Sequence, residues 1–128
     1  MKLEDQVCSL ELSKKLKELG VKQESVWYWY EPKGLTVNPY LIILDHNELE
    51  EYQIISAAFT VAELGEIIGC IYDCACFSQR LLEIWNCSFA RADAEGVLNI
   101  EHTERASTEA DCRALMLIHL IEKGMVKL

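Results

Sequence analysis

The sequence predicts an α+β domain, an antiparallel β-sheet of about four strands packed against N- and C-terminal helices, with a short central helix. Three observations carry this. Helix-spaced apolar positions occupy both ends of the chain, runs of aromatic and β-branched residues separated by turn residues fill much of the remainder, and a capped helical segment interrupts those runs. With 128 residues, 51% of them hydrophobic, the chain can bury one core, and nothing in it resembles a linker. A single domain over residues 1–128 is therefore expected.

The first element is "CSLELSKKLKELG", in which Cys8, Leu12, Leu16 and Leu19 fall on one helical face while Lys14, Lys15 and Lys17 lie off it. Gly20 is placed to terminate that helix, because glycine adopts the left-handed conformation of a C-terminal cap at no steric cost. "SVWYWYEPKGLTV" then reads as a hairpin, with extended runs near 25–31 and 35–44 around the turn residues Glu31, Pro32, Lys33 and Gly34. Alternation sends Val26, Tyr28 and Tyr30 to one face and Trp27 and Trp29 to the other, so both faces are bulky and need cover. The acidic stretch "DHNELEEYQ" reads as an exposed loop or short helical turn.

In "FTVAELGEIIG", Thr60 and Glu63 have the spacing of a capping box, Phe59 and Leu64 that of a hydrophobic staple, and Gly69 ends the helix. Beyond it the segment 70–82 reads equally as helix or loop, while Trp85, Cys87 and Phe89 alternate with Asn86 and Ser88 as in a half-buried strand over 82–90. A turn at 91–96 leads into a strand over 97–102, with Leu98, Ile100 and His102 expected on one side and Asn99 and Glu101 on the other. Thr108 and Asp111 cap a last helix that ends near Lys123 and Gly124.

Composition excludes several functions. The net charge is −9 and Arg80 is the only basic residue between 59 and 90, which argues against a nucleic-acid partner, since phosphate contacts reward clustered Lys and Arg. A helix-turn-helix would need residues 60–69, a turn, and a recognition helix from Cys74 to Glu83 presenting Ser78, Gln79 and Arg80 to bases. Cys70, Cys74 and Cys76 invite a metal reading, but the C-x3-C-x-C spacing lacks a second knuckle, and a fourth ligand would have to come from Cys87 or His102. No cofactor is expected. The six cysteines of so apolar a chain read as reduced thiols of a cytoplasmic protein. No apolar run reaches the length of about 18 residues needed to span a membrane.

For catalysis the chain offers His46, His102 and His119, and Asp45-His46 is the best acid/base candidate, although a strand-end His beside an Asp reads more readily as a polar turn. Glu48, Glu50 and Glu51 form a solvated acidic run. In the last helix "ALMLIHLI" is apolar at every position but one. Ala110, Ala114, Leu117, Ile118 and Ile121 form the core face, and Met116 and Leu120 lie on a flank that needs cover. A homodimer contact through Met116, Leu120, Trp27 and Trp29 is one solution; burial inside the chain is the other.

The phrases "QVCSLELSKKLKELGVKQES" at 6–25, "WYW" at 27–29, "FTVAELGE" at 59–66 and "TEADCRALMLIHLIEKGMVKL" at 108–128 resemble a group of small proteins of bacterial phages and prophages. That resemblance implies an origin in a phage or mobile element. The group has no assigned activity, so it transfers no functional residues, and the Cys-bearing stretch 70–90 departs from it. What remains is an interaction protein with an unidentified protein partner or a second copy of itself; the alternatives are a helix-turn-helix regulator and a small hydrolase or metal-binding protein.

Overall fold

The computed structural model describes residues 2–32, 40–43, 52–69 and 74–128. The described elements are α1 (Leu10–Glu18), β1 (Trp27–Pro32), β2 (Tyr40–Ile43), β3 (Tyr52–Ala57), α2 (Val61–Ile68), β4 (Cys74–Leu81), β5 (Ile84–Ala92), β6 (Leu98–Ala106) and α3 (Glu109–Glu122). The α+β class is as expected. The strands, however, form two antiparallel three-stranded sheets, ordered β2-β1-β3 and β4-β5-β6, where one sheet of about four strands was expected. Two strands account for the difference. β3 emerges directly from the acidic stretch that read as loop, and β4 occupies the segment that read as helix or loop. Of the expected hairpin turn, Glu31 and Pro32 belong to β1, while Lys33 and Gly34, together with Asp45-His46, the acidic run Glu48, Glu50 and Glu51, and Cys70, lie outside the described residues.

The helix ends follow local chemistry. Gly20, with φ of +94°, closes α1 as the Val21 N–H reaches the Leu16 carbonyl at 3.0 Å, satisfying a carbonyl the helix leaves free. At α2 the Thr60 hydroxyl accepts from the Glu63 N–H at 3.2 Å and the Glu63 carboxylate accepts from the Thr60 N–H at 3.0 Å. Thr108 caps α3 by accepting from the Asp111 N–H. The Asp111 carboxylate in turn accepts from the Ser9 N–H at 2.7 Å and so joins the starts of α1 and α3.

α3 is the centre of the fold, packed against α1, α2 and all three strands of the β4–β6 sheet. Ala110, Cys112, Ala114, Met116, Leu117, Ile118 and Leu120 are all buried, which is why the helix is apolar nearly all round. Around it one core gathers Cys8 and Leu16 from the N-terminal region, Tyr28 from β1, Phe59 from just before α2, Leu64 from α2, and Cys87 and Phe89 from β5. A second, smaller cluster of Val7, Trp29 and Ala58 covers the other face of β1. There the Trp29 indole N–H donates to the Cys8 carbonyl at 3.1 Å. The two-sided bulk of "WYWY" is thus met within the chain.

The β5–β6 connection is an Asp-directed turn. The Asp93 carboxylate accepts from the N–H groups of Glu95 and Val97 at 2.9 and 3.0 Å. These bonds, that of Val97 foremost, hold the carboxyl below its ordinary value. Because the folded value is depressed, the bonds contribute fully above the unfolded pKa of about 3.9 and are lost as pH falls through the lower folded one. The backbone amide resonances of Glu95 and Val97 are therefore expected to shift together below about pH 4, and Asp93→Asn should abolish that titration.

Candidate functional site

The two faces of the β4–β6 sheet differ sharply, and a bulge sets the difference. β4 pairs with β5 in unbroken register, from Cys74 opposite Arg91 to Leu81 opposite Ile84. β5 pairs with β6 through Phe89 opposite His102, but the next pair is Ala90 opposite Ile100, leaving Glu101 as an extra residue. The bulge puts His102 on the side of Phe89 while Ile100 and Leu98 sit on the side of Ala90 and Ala92. The expected alternation, with Leu98, Ile100 and His102 on one side, is thereby corrected.

The inner face meets α3 and carries Cys76, Ser78, Trp85, Cys87, Phe89, His102 and Glu104. Ser78 is held by α3, its hydroxyl donating to the Glu109 carboxylate and accepting from the Arg113 guanidinium. The sulfurs of Cys76 and Cys87 lie 3.5 Å apart, and the Cys112 thiol donates to the Glu104 and Trp85 carbonyls. Cys8, Cys74, Cys76, Cys87 and Cys112 are all free thiols. Burial pushes Cys8 up to about 11, and a hydrogen bond with Cys112 together with burial pushes Cys87 up to about 12, so both are neutral and poorly nucleophilic at physiological pH.

At the β6 end of this face His102 Nε2 lies 2.8 Å from Glu104 Oε1. The His119 ring of α3 stacks on His102 with centroids 3.5 Å apart and planes within 2° of parallel. Burial first, and then His102, hold the His119 imidazole below its ordinary value, while Glu104 and Glu122 oppose and Lys123 reinforces that shift. The buried Phe89 ring is the cross-strand neighbour of His102 and makes one side of this cluster apolar.

The outer face is the converse. Its positions are Ala75, Phe77, Gln79 and Leu81 on β4, alternate residues from Ile84 to Ala92 on β5, and Leu98, Ile100, Thr103 and Arg105 on β6. In a chain of net charge −9 no carboxylate occupies any of them. Glu101, at the bulge, is paired with Arg91 at 3.2 Å. Among the described residues, seven of the nine exposed large hydrophobic side chains belong to this sheet and its turns: Phe77, Leu81, Leu82, Ile84, Val97, Leu98 and Ile100. Leu82, at the two-residue β4–β5 turn, is 95% exposed with φ of +58°, a conformation that glycine would adopt without strain.

The sequence-derived candidates are distributed unevenly over these features. Met116 and Leu120 are fully buried and Trp29 nearly so, hence their cover comes from the chain itself. Trp27 lines a groove of about 760 Å³ that also takes in Thr60, Arg80, Trp85, Thr108 and Glu109. The segment Cys74–Leu81 is a strand, so the recognition helix of a helix-turn-helix does not form; Ser78 points to α3, Gln79 to the outer face and Arg80 to the groove. Cys74 and Cys76 both lie on the inner face, but Cys76 is paired with Cys87. Glu104 and the stacking of His119 on His102 were missed, since residues 17 positions apart in different elements leave no local signal.

Fold and surface together define an acidic α+β protein with one carboxylate-free sheet face that exposes several large apolar side chains and, opposite it, an imidazole–carboxylate cluster under a central helix. No protein-family model, curated protein or solved structure matches the chain. Among the described residues no helix is long and apolar enough to cross a membrane.

Proposed function

We propose that this protein is an interaction module of phage or mobile-element origin that acts in the cytoplasm by pairing with a second copy of itself through the outer face of the β4–β6 sheet. The observation that carries the reading is the absence of carboxylates from that face. Two copies of a chain with net charge −9 repel one another over most approaches. They meet at least cost where both lack carboxylates, and a two-fold axis lets one patch serve both partners. Phe77 and Ile100 stand on opposite edge strands of the sheet with the small residues Ser88 and Ala90 of the central strand between them, so ridges of one copy have a shallow trough in the other to enter. The origin is supported by the phage-like phrases at both ends of the chain, and the compartment by the free thiols.

The test is the mass in solution. Light scattering at micromolar concentration is expected to give twice the 14.6 kDa chain mass. Phe77→Asp and Ile100→Asp, at positions 41% and 61% exposed, should halve it while the thermal midpoint of the monomer stays within a few degrees of the parent. A parent mass of 14.6 kDa at that concentration overturns the pairing.

A further inference from the structure

The geometry points to a second, independent site: we propose that His102 and Glu104 of β6 and His119 of α3 bind one divalent first-row transition-metal ion of the zinc type, clamping the helix to the sheet. One ligand atom from each residue, two imidazole nitrogens and one carboxylate oxygen, lie within 4.8 Å of one another. Two nitrogens and one oxygen form a donor set suited to zinc and its first-row neighbours, with room for water in the remaining position.

Three features of the surroundings favour an ion over a plain surface pair. His102 and Glu104 are two residues apart on one strand, so the pleat turns both to the same side, and their side chains are only 31% and 28% exposed. The Cys112 thiol donates to the Glu104 carbonyl and fixes the strand backbone at this ligand. The cross-strand neighbour of His102 is the buried Phe89, so the cluster borders the apolar core on that strand.

Binding frees the Nε2 lone pair of His102 for the ion. His102 Nε2 and Glu104 Oε1 lie 2.8 Å apart with one hydrogen between them; the imidazole binds in its neutral form, so that hydrogen relocates to Nδ1 by exchange with solvent, the cation takes its place, and the Nε2 lone pair and the carboxylate oxygen become donors. His119 contributes the third lone pair from the helix once its ring turns out of the stack on His102, because in-plane lone pairs of parallel rings cannot meet at one ion. No oxidation or reduction is involved.

The experiment titrates ZnCl2 into the full chain, kept reduced with a non-chelating phosphine, in a calorimeter. One equivalent is expected to bind, and the ion should raise the thermal midpoint because it stabilises only the folded chain. Loss of even an outer-shell partner weakens metal binding by about 10- to 100-fold, so His119→Gln and Glu104→Gln should each weaken it by about 100-fold or more. The metal-free thermal midpoint of each variant shows that it folds; two ligands from different elements keep the test decisive if one variant fails. Cobalt(II) added to the parent protein should give ligand-field absorption without the near-ultraviolet charge-transfer band of a thiolate. Failure to bind a stoichiometric equivalent of zinc overturns the proposal. So does binding that survives both Gln variants, or that carries a thiolate band and disappears in Cys74→Ser/Cys76→Ser. None of these readouts depends on the oligomeric state, so this site and the proposed pairing stand or fall separately.

Discussion

Replacing Phe59 with alanine is expected to destabilise the protein by about 3–5 kcal/mol, lowering the thermal midpoint by about 10–20 °C. Phe59 is fully buried, it belongs to the main core, and it precedes the Thr60 cap, one turn from Leu64. Truncation removes the transfer energy of the ring and leaves a cavity between elements that are already fixed by hydrogen bonds. The chain cannot close that cavity cheaply. The Phe59 carbonyl accepts from the Cys8 N–H at 2.9 Å, and Val7 bridges to Thr60, so the backbone on both sides is held. A domain of this size has about 5–15 kcal/mol in total, so the variant loses a large share of its stability. Phe59→Leu fills more of the space and should recover about half of the loss. Denaturant unfolding monitored by tryptophan fluorescence measures both; a loss under 1 kcal/mol for the alanine variant would mean that Phe59 is not a core anchor.

The second large effect is expected at Glu63, a part-buried carboxylate that does more than close its own helix. Oε1 accepts from the Thr60 N–H at 3.0 Å and lies 2.9 Å from the Ser25 hydroxyl, while Oε2 accepts from the Val26 N–H at 3.2 Å. Ser25 in turn accepts from the Trp27 N–H and contacts the Ala58 carbonyl, so the start of β1 is set through Glu63. Hydrogen bonds to an ionised acceptor contribute more than neutral ones, and Glu63→Ala leaves several donors short of a partner. A loss of about 2–3 kcal/mol is expected, against about 1 kcal/mol for a helix cap alone. Glu63→Gln keeps one acceptor oxygen and should lose about half as much. Hydrogen exchange gives the specific signature: the amides of Thr60 and Val26 should exchange faster in the alanine variant. Unchanged protection at Val26 would show that the link from α2 to β1 contributes nothing.

Both effects bear on what was legible beforehand. The capping box and staple of α2 read correctly from "FTVAELGE" because every partner lies within five residues of the cap. The further bonds from Glu63 to Ser25 and Val26 join residues about 37 apart, and no short-range pattern announces them. β3 escaped notice for a related reason. Its polar beginning continues an acidic run, and Ser56 and Ala57 are weak strand formers that are buried here by tertiary packing. In β4, Cys74, Ala75 and Cys76 have no strong local preference, so the pairing with β5 decided between helix and strand.

By itself the sequence determined the α+β class, the ends of α1, α2 and α3, and the aromatic β1 run, because caps, left-handed glycines and apolar periodicity act over one or two turns of chain. Tertiary structure alone decided that the strands divide into two sheets, that α3 hides Met116 and Leu120 inside the molecule, and that Glu101 is bulged. The bulge matters most for function. Side chains alternate along a strand, so one extra residue reverses every face beyond it. That reversal turns Ile100 outward to the carboxylate-free surface and leaves His102 inward beside Glu104 and His119. Whether a strand carries such an extra residue depends on the partner strand's register and on what packs against each face, and neither is written in the strand's own residues.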